Sequence, residues 1–131
     1  MQLLLPMLGI EESDPWTGDV PLPGGDIPHA DLATFMRHAV ARWSALPPAM
    51  VERLARQYGT RMARILGNAH SAADLGRAFG DQLTLAEVKY LVGTEWARSA
   101  EDILWRRTRL GLELPDSAVH DLQDAVTQLL G

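Results

Sequence analysis

The 131-residue sequence predicts an all-α fold, a single compact bundle of five to seven helices with an extended N-terminal arm. Three observations carry that expectation. Apolar residues recur with the 3.6-residue helical period along most of the chain beyond residue 28, no stretch alternates convincingly as a strand, and proline and glycine stand where the periodic stretches should begin and end. A content of 47% hydrophobic and 22% charged residues is that of a globular protein, too apolar for a wholly disordered one. A chain of this length holds one core and buries about two-thirds of its unfolded surface if it folds alone.

Residues 1–27 read as the arm and residues 28–131 as the helical domain. Between Glu11 and Pro28 the stretch EESDPWTGDVPLPGGDIP holds four prolines and three glycines without helical or alternating order, so it should run extended. Such an arm joins two things, and the ten residues before it read equally as the tail of an upstream helix or as a natural N-terminus. Leu32, Phe35, Met36, Ala39, Val40 and Trp43 then share one face of a first helix, which Leu46-Pro47-Pro48 stops. Pro48 suits the first turn of a second helix, where its missing N–H is no loss, and Val51, Leu54, Ala55 and Tyr58 form the stripe up to Gly59.

Thr60 is placed to cap a short third helix bearing Met62, Ile65 and Leu66 and closed by Gly67-Asn68, and Ser71 to Asp74 reads as another helical turn. Thr84-Leu85-Ala86-Glu87 has the form of a capping box that would stabilise a fourth helix by about 1 kcal/mol. Behind it Leu85, Val88, Leu91 and Val92 line one side. Ser99 should cap a helix over 99–110, with Glu101 and Asp102 in its first turn and Arg106, Arg107 and Arg109 in its last, each sign complementing the helix dipole, and Gly111 ending it. A final helix, roughly Ser117 to Leu130, carries Val119, Leu122, Val126 and Leu129. Helices this short are marginal alone in water and must bury their stripes against one another.

A net charge of −5 gives the whole molecule no attractive field for phosphate backbones or anionic lipid, so any basic function must be local. The absence of cysteine removes disulfides, thiolate metal sites and cysteine nucleophiles, and fits the cytoplasm as the default compartment. The opening MQLLLPMLGI is apolar, but Pro6 interrupts it and no basic region precedes it, so neither export nor spanning is indicated. No GxGxxG or GxxxxGK phosphate loop, HExxH or GxSxG motif occurs, and Gly24-Gly25 reads as a bend in the arm. His29, His38, His70 and His120 are scattered without ligand spacing. The expectation is therefore no catalytic, cofactor-binding or metal residue in this chain.

The densest chemistry lies in EWARSAEDILWRRTRLGLEL, Glu95 to Leu114, which holds two tryptophans and four arginines. Helices over 84–95 and 99–110 imitate a helix-turn-helix, which makes a free-standing regulator of DNA or of a partner protein the alternative reading. In that motif the first residues of the second helix meet base edges. Here they are Glu101 and Asp102, of the same sign as phosphate. The preferred reading is structural: Asp102 and Arg106 form an i,i+4 pair, Glu95 and Arg98 an i,i+3 pair, and Trp96, Ile103 and Leu104 make the hairpin core. Trp105, Arg106, Arg107 and Arg109 remain as a contact face, of the residue types that anchor protein interfaces.

The order and spacing of WTGDVPLPGGD, YGTRMARIL and LTLAEVKYLVGTEWARSAEDILWRRTRLGL resemble the C-terminal helical domain of bacterial FAD-dependent sn-glycerol-3-phosphate dehydrogenases of the aerobic, respiratory type. The resemblance runs from about Trp16 to Leu114 and is most specific at Glu95, Trp96, Ala97, Ala100, Glu101, Asp102 and Trp105 to Gly111. It implies a parent enzyme that oxidises sn-glycerol 3-phosphate to dihydroxyacetone phosphate, passing a hydride to FAD and electrons to membrane quinone. It also implies that FAD and substrate are held by polypeptide outside this chain, so no catalytic or flavin residue is carried onto any position here. The implied partners are the remainder of the flavoenzyme and a second subunit, with no nucleic acid. Contact with the inner face of the cell membrane would come only through the parent.

Overall fold

A computed structural model describes Met7 and residues 18–131, so most of the expected arm, including Glu11 to Thr17, lies outside the described residues. Five α-helices follow in order: α1 Leu32–Arg42, α2 Pro48–Tyr58, α3 Met62–Leu66, α4 Leu85–Thr94 and α5 Asp116–Leu130. A π-helical segment, Asp102–Arg107, stands between α4 and α5. Among the described residues the fold is all-α apart from one antiparallel ribbon, β1 Ala78–Phe79 and β2 Leu83–Thr84, which pairs Ala78 with Thr84 and Phe79 with Leu83.

The helix boundaries follow from local chemistry. Asp31 accepts the Thr34 N–H at 3.0 Å and caps α1. Pro48 opens α2, and Gly59, with φ +53°, ends it in the left-handed backbone region that glycine tolerates. Thr60 does not cap α3; its hydroxyl bonds Asp26 instead, and α3 grows directly out of the short 3₁₀ turn Gly59–Arg61. At Ser71, Asp74 accepts the N–H groups of His70 and Ser71 at 2.8 and 2.9 Å, opening the 3₁₀ turn Ala72–Leu75. Those bonds also hold the Asp74 carboxyl below its ordinary pKa, the His70 N–H contributing most.

Two expectations are corrected at α4. The ribbon was not anticipated, because two-residue strands are too short to show alternation. It buries Phe79 and Leu83 on one face and leads straight into the helix. The Thr84–Glu87 capping box does not form: Thr84 makes no cap bond, and Glu87 turns inward, only 1% exposed.

The core lies where α2, α3, α4, α5 and the π segment converge, filled by Val51, Leu54, Met62, Val88, Leu91, Ile103, Leu122 and Val126 among others. α1 packs on α2 and α5 on α4. The Trp43 indole N–H donates to the Gly67 carbonyl at 3.2 Å, tying the end of α1 to the end of α3. Before α1, the stretch Leu22–Asp26 is strapped to the body, the Gly24 carbonyl accepting the Thr60 N–H at 3.0 Å. Among the described residues no helix is long and apolar enough to cross a membrane.

Candidate contact surface

Beneath the tryptophan and arginine segment lies a buried polar network. Glu87 precedes Leu91 by four residues, so helical spacing sets it on the face that α4 turns to the core. Arg53 of α2 meets it in a fork: Nη1 lies 2.9 Å from Oε1 and Nη2 2.6 Å from Oε2. Nη2 also donates to the Gln82 carbonyl at 2.9 Å and Nη1 to Gln57 Oε1 at 3.1 Å. The Tyr58 hydroxyl donates to Glu87 Oε1 at 2.8 Å, and its ring stands edge-on to Tyr90 with centroids 5.5 Å apart. The Gln57 amide then donates to the Tyr58 oxygen at 2.9 Å and to the Arg107 carbonyl at 2.8 Å.

The network is built to stay charged on one side and neutral on the other. Burial works against the Arg53 charge, but the hydrogen bonds and charge of Glu87 outweigh it and raise the arginine pKa. Burial and the Glu87 charge push the Tyr58 phenol well above its ordinary value, so it remains a donor at any physiological pH. Apart from Arg53 Nε, which has no partner, these groups are spent on one another. What the arrangement does is fix α2, α4 and the π segment relative to one another. Sequence spacing does not reveal it because its bonds between elements join residues 29 to 50 apart.

The π segment carries Trp105, Arg106 and Arg107, three of the residues expected at a contact face. The turn that leads into the segment is satisfied by Ser99 Oγ, which accepts the Asp102 N–H at 3.1 Å, and by Gln123 of α5, which accepts the Ala100 N–H at 2.9 Å. Its end is fixed by the Ile103 carbonyl, which accepts both the N–H and the hydroxyl of Thr108, at 2.9 and 2.8 Å. The wider π turn holds one more residue than an α turn. Arg107, which α-helical spacing from Ile103 and Leu104 would set on the buried stripe, is exposed as a result. The helix expected over 99–110 therefore stops at Arg107, and Arg109, with φ +61°, turns the chain left-handed.

Of the expected contact residues, Trp105 is 53% exposed, and Arg106, Arg107 and Arg109 are exposed with it. The Trp105 indole lies on Gly111, where an added Cβ would come within 2.6 Å of the ring. Arg106 pairs with Asp102 at 2.8 Å. The Asp102 carboxyl is held below its ordinary pKa, chiefly by the Arg98 N–H and further by Arg106. Of the expected hairpin core, Ile103 and Leu104 are buried.

Trp96 is not. It is 78% exposed, and as the second residue beyond α4 it takes a left-handed conformation, φ +59°. Ala97 and Ala100 are the buried residues that follow it. Glu95 does not pair with Arg98 either; its Oε1 lies 3.5 Å from Arg61 Nη1 and accepts the Tyr90 hydroxyl at 3.3 Å. The helix-turn-helix reading loses its second element, since the segment after α4 is a short π turn with Arg106 tied to its own acidic first turn. Among the described residues, no three His, Asp or Glu side chains converge as metal ligands would.

Comparison with known proteins gives the surface its context. Residues 15–131 match the family model described as the C-terminal domain of alpha-glycerophosphate oxidase. The chain is 43% identical over 102 residues to the D-erythritol 1-phosphate dehydrogenase of Brucella abortus, a match covering 78% of this chain and 20% of that protein. It is 43% identical, over the same length and shares, to the glycerol-3-phosphate dehydrogenase of Pseudomonas aeruginosa. It is 40% identical over 115 residues, 88% of this chain and 22% of the relative, to the aerobic glycerol-3-phosphate dehydrogenase of Escherichia coli. The chain thus spans about a fifth of the length of the curated relatives it matches.

Proposed function

Because this chain belongs to the family of the C-terminal domain of alpha-glycerophosphate oxidase, we propose that it serves as the accessory helical domain of a flavoenzyme that oxidises sn-glycerol 3-phosphate to dihydroxyacetone phosphate. The observation that carries this is the match over residues 15–131, together with relatives that include glycerol-3-phosphate dehydrogenases. In this reading residues 1–27 link the domain, residues 28–131, to a preceding catalytic body.

The described residues do not fit a dinucleotide cofactor, which needs parallel strands delivering a glycine turn to a helix N-terminus. The sheet here is one antiparallel ribbon of two-residue strands. FAD, implied by the resemblance, is assigned to the catalytic body, and no chemical step is routed through this domain. Its work is contact. Trp105, with Arg106, Arg107 and Arg109 around it, offers a large apolar ring and guanidinium groups suited to a carboxylate-rimmed apolar hollow on the body or on a second subunit. The buried Arg53–Glu87–Tyr58–Gln57 network keeps that face in place. The parent is expected in the cytoplasm, peripheral to the inner membrane face.

The test is a chimera in which this chain replaces the matching segment of the Pseudomonas aeruginosa enzyme. Dehydrogenase activity with glycerol 3-phosphate and a dye acceptor should survive the exchange and disappear on deletion of the segment. Trp105→Ala with Arg106→Ala should lower subunit association or thermal stability of the chimera. Deletion without effect would refute the accessory role, and the double substitution without effect would refute the contact face. Pelleting of the isolated chain on anionic vesicles would contradict the assignment of membrane contact to the parent.

A further inference from the structure

Trp96 occupies a position that neither folding nor packing accounts for. The residue that follows a helix in the left-handed conformation is most often glycine, since a Cβ there is strained. Here it is a tryptophan, 78% exposed. The backbone around it is firmly held: the N–H groups of Glu95 and Ala97 both donate to the Leu91 carbonyl at 3.1 Å, and Ala97 is fully buried. The strain is thus built in while the indole is turned outward, a combination that belongs to binding positions.

The strap shows what lies on that side. Leu22, Gly24, Arg61, Tyr90 and Glu95 line one cleft of about 420 Å³, and Trp96 follows Glu95 directly. Leu22 is itself 81% exposed. Gly24 and Gly59, with φ +88° and +53°, interlock so closely that neither leaves room for a Cβ, which fixes where the strap meets the body. Leu22, at the start of the strap, therefore borders the same cleft as Glu95, the neighbour of Trp96.

We propose that Trp96, with Leu22 beside the strap, marks the seat of the preceding catalytic body on this domain, the indole entering an apolar hollow of that body while the half-exposed Arg61–Glu95 pair forms part of its rim. This rests on the function proposed above. The relatives are about five times as long as the segment matched, and the family is a C-terminal one, so in that reading the body is tethered at this end of the domain, through the strap.

Trp96→Gly separates display from packing. In the isolated chain it should leave the melting temperature unchanged or raise it by a few degrees, because glycine relieves the left-handed strain and little contact is lost. In the Pseudomonas aeruginosa chimera the same substitution should lower the melting temperature and speed thermolysin cleavage within residues 11–28 several-fold. A drop of equal size in the isolated chain would show that Trp96 serves internal packing, and an unchanged chimera would show that the body does not sit there. A concentration-dependent dimer of the isolated chain, abolished by Trp96→Gly, would assign the surface to a second copy instead. A chimera inactive with Trp96 intact would refute the function proposed above, and this inference with it.

Discussion

Removal of the Glu87 carboxylate is the sharpest test of how this domain is held together. Glu87 is 1% exposed and receives three hydrogen bonds, two from Arg53 and one from Tyr58. In Glu87→Leu the guanidinium keeps only Gln82 and Gln57 as partners, with Nε already unpaired. Breaking one side of a buried pair costs about 3–5 kcal/mol, because the remaining charge is stranded. For 131 residues the unfolding entropy is about 0.28 kcal/mol/K, so that loss corresponds to a fall of about 11–18 °C in Tm. Replacing both partners, Arg53→Met with Glu87→Leu, removes the stranded charge and should recover most of the loss. Urea unfolding of the wild type, both single variants and the double variant closes the cycle. Additive losses in the double variant, or a Glu87→Leu change under about 1 kcal/mol, would refute the account of the network as a coupled buried pair.

Other outcomes follow from single contacts. Gly59→Ala meets both a positive φ and the Gly24 backbone, and should destabilise by more than about 1 kcal/mol in chemical denaturation, with the strap released to proteolysis first. Gly111→Ala should push the Trp105 indole outward, raising its quenching by acrylamide in a variant whose other tryptophans are phenylalanine, while Tm changes little. Acid should destabilise the domain in a defined window. Asp26, Asp31, Asp74 and Asp102 all have folded pKa values below 3.8, so the unfolded state binds more protons there. The stability they contribute is complete above about 3.8 and is lost as pH falls through their folded values. NMR titration should find the Asp102 midpoint below 3.8, and in Asp102→Asn the slope of stability against pH below 4 should be shallower.

Elements whose signals are local were legible in the sequence. The stripes of α1, α2 and α5, Pro48 at a helix start, and Gly59 and Gly67 at helix ends are each set by residues within one or two turns. Where a residue had a local and a distant option, the distant one won. Thr84 and Glu87 have capping-box spacing, yet an arginine 34 residues away outcompetes a backbone N–H for the carboxylate, since a forked charge-assisted pair is the stronger bond. Glu95 likewise leaves Arg98 for Arg61 and Tyr90. Its place four residues before Leu91 was the one sign that Glu87 faces inward, and it pointed to burial without naming a partner. The π turn and the left-handed backbone at Trp96 have no sequence signature, and they decide which side chains of the segment reach the surface.

On the proposed contact role, the same features account for the buried polarity of this domain. A contact face works only if its anchors are presented in a fixed geometry before the partner arrives, since ordering long side chains on binding costs affinity. Trp105 and Arg107 stand on a single π turn, too short to hold its own shape. It is clamped at one end by Ser99 and Gln123 and at the other by Thr108 and Gln57. Gln57 is in turn held by Arg53, which also binds the buried carboxylate of Glu87. An apolar core alone would give comparable stability but no directional bond to the Arg107 carbonyl. Gln57→Leu tests that bond: it removes three hydrogen bonds, one of them from the charged Arg53, and should cost about 3 kcal/mol in urea unfolding. Hydrogen exchange at Thr108 and its neighbours should rise far more than anywhere in α5, and uniform protection across both regions would show that the face does not depend on the network.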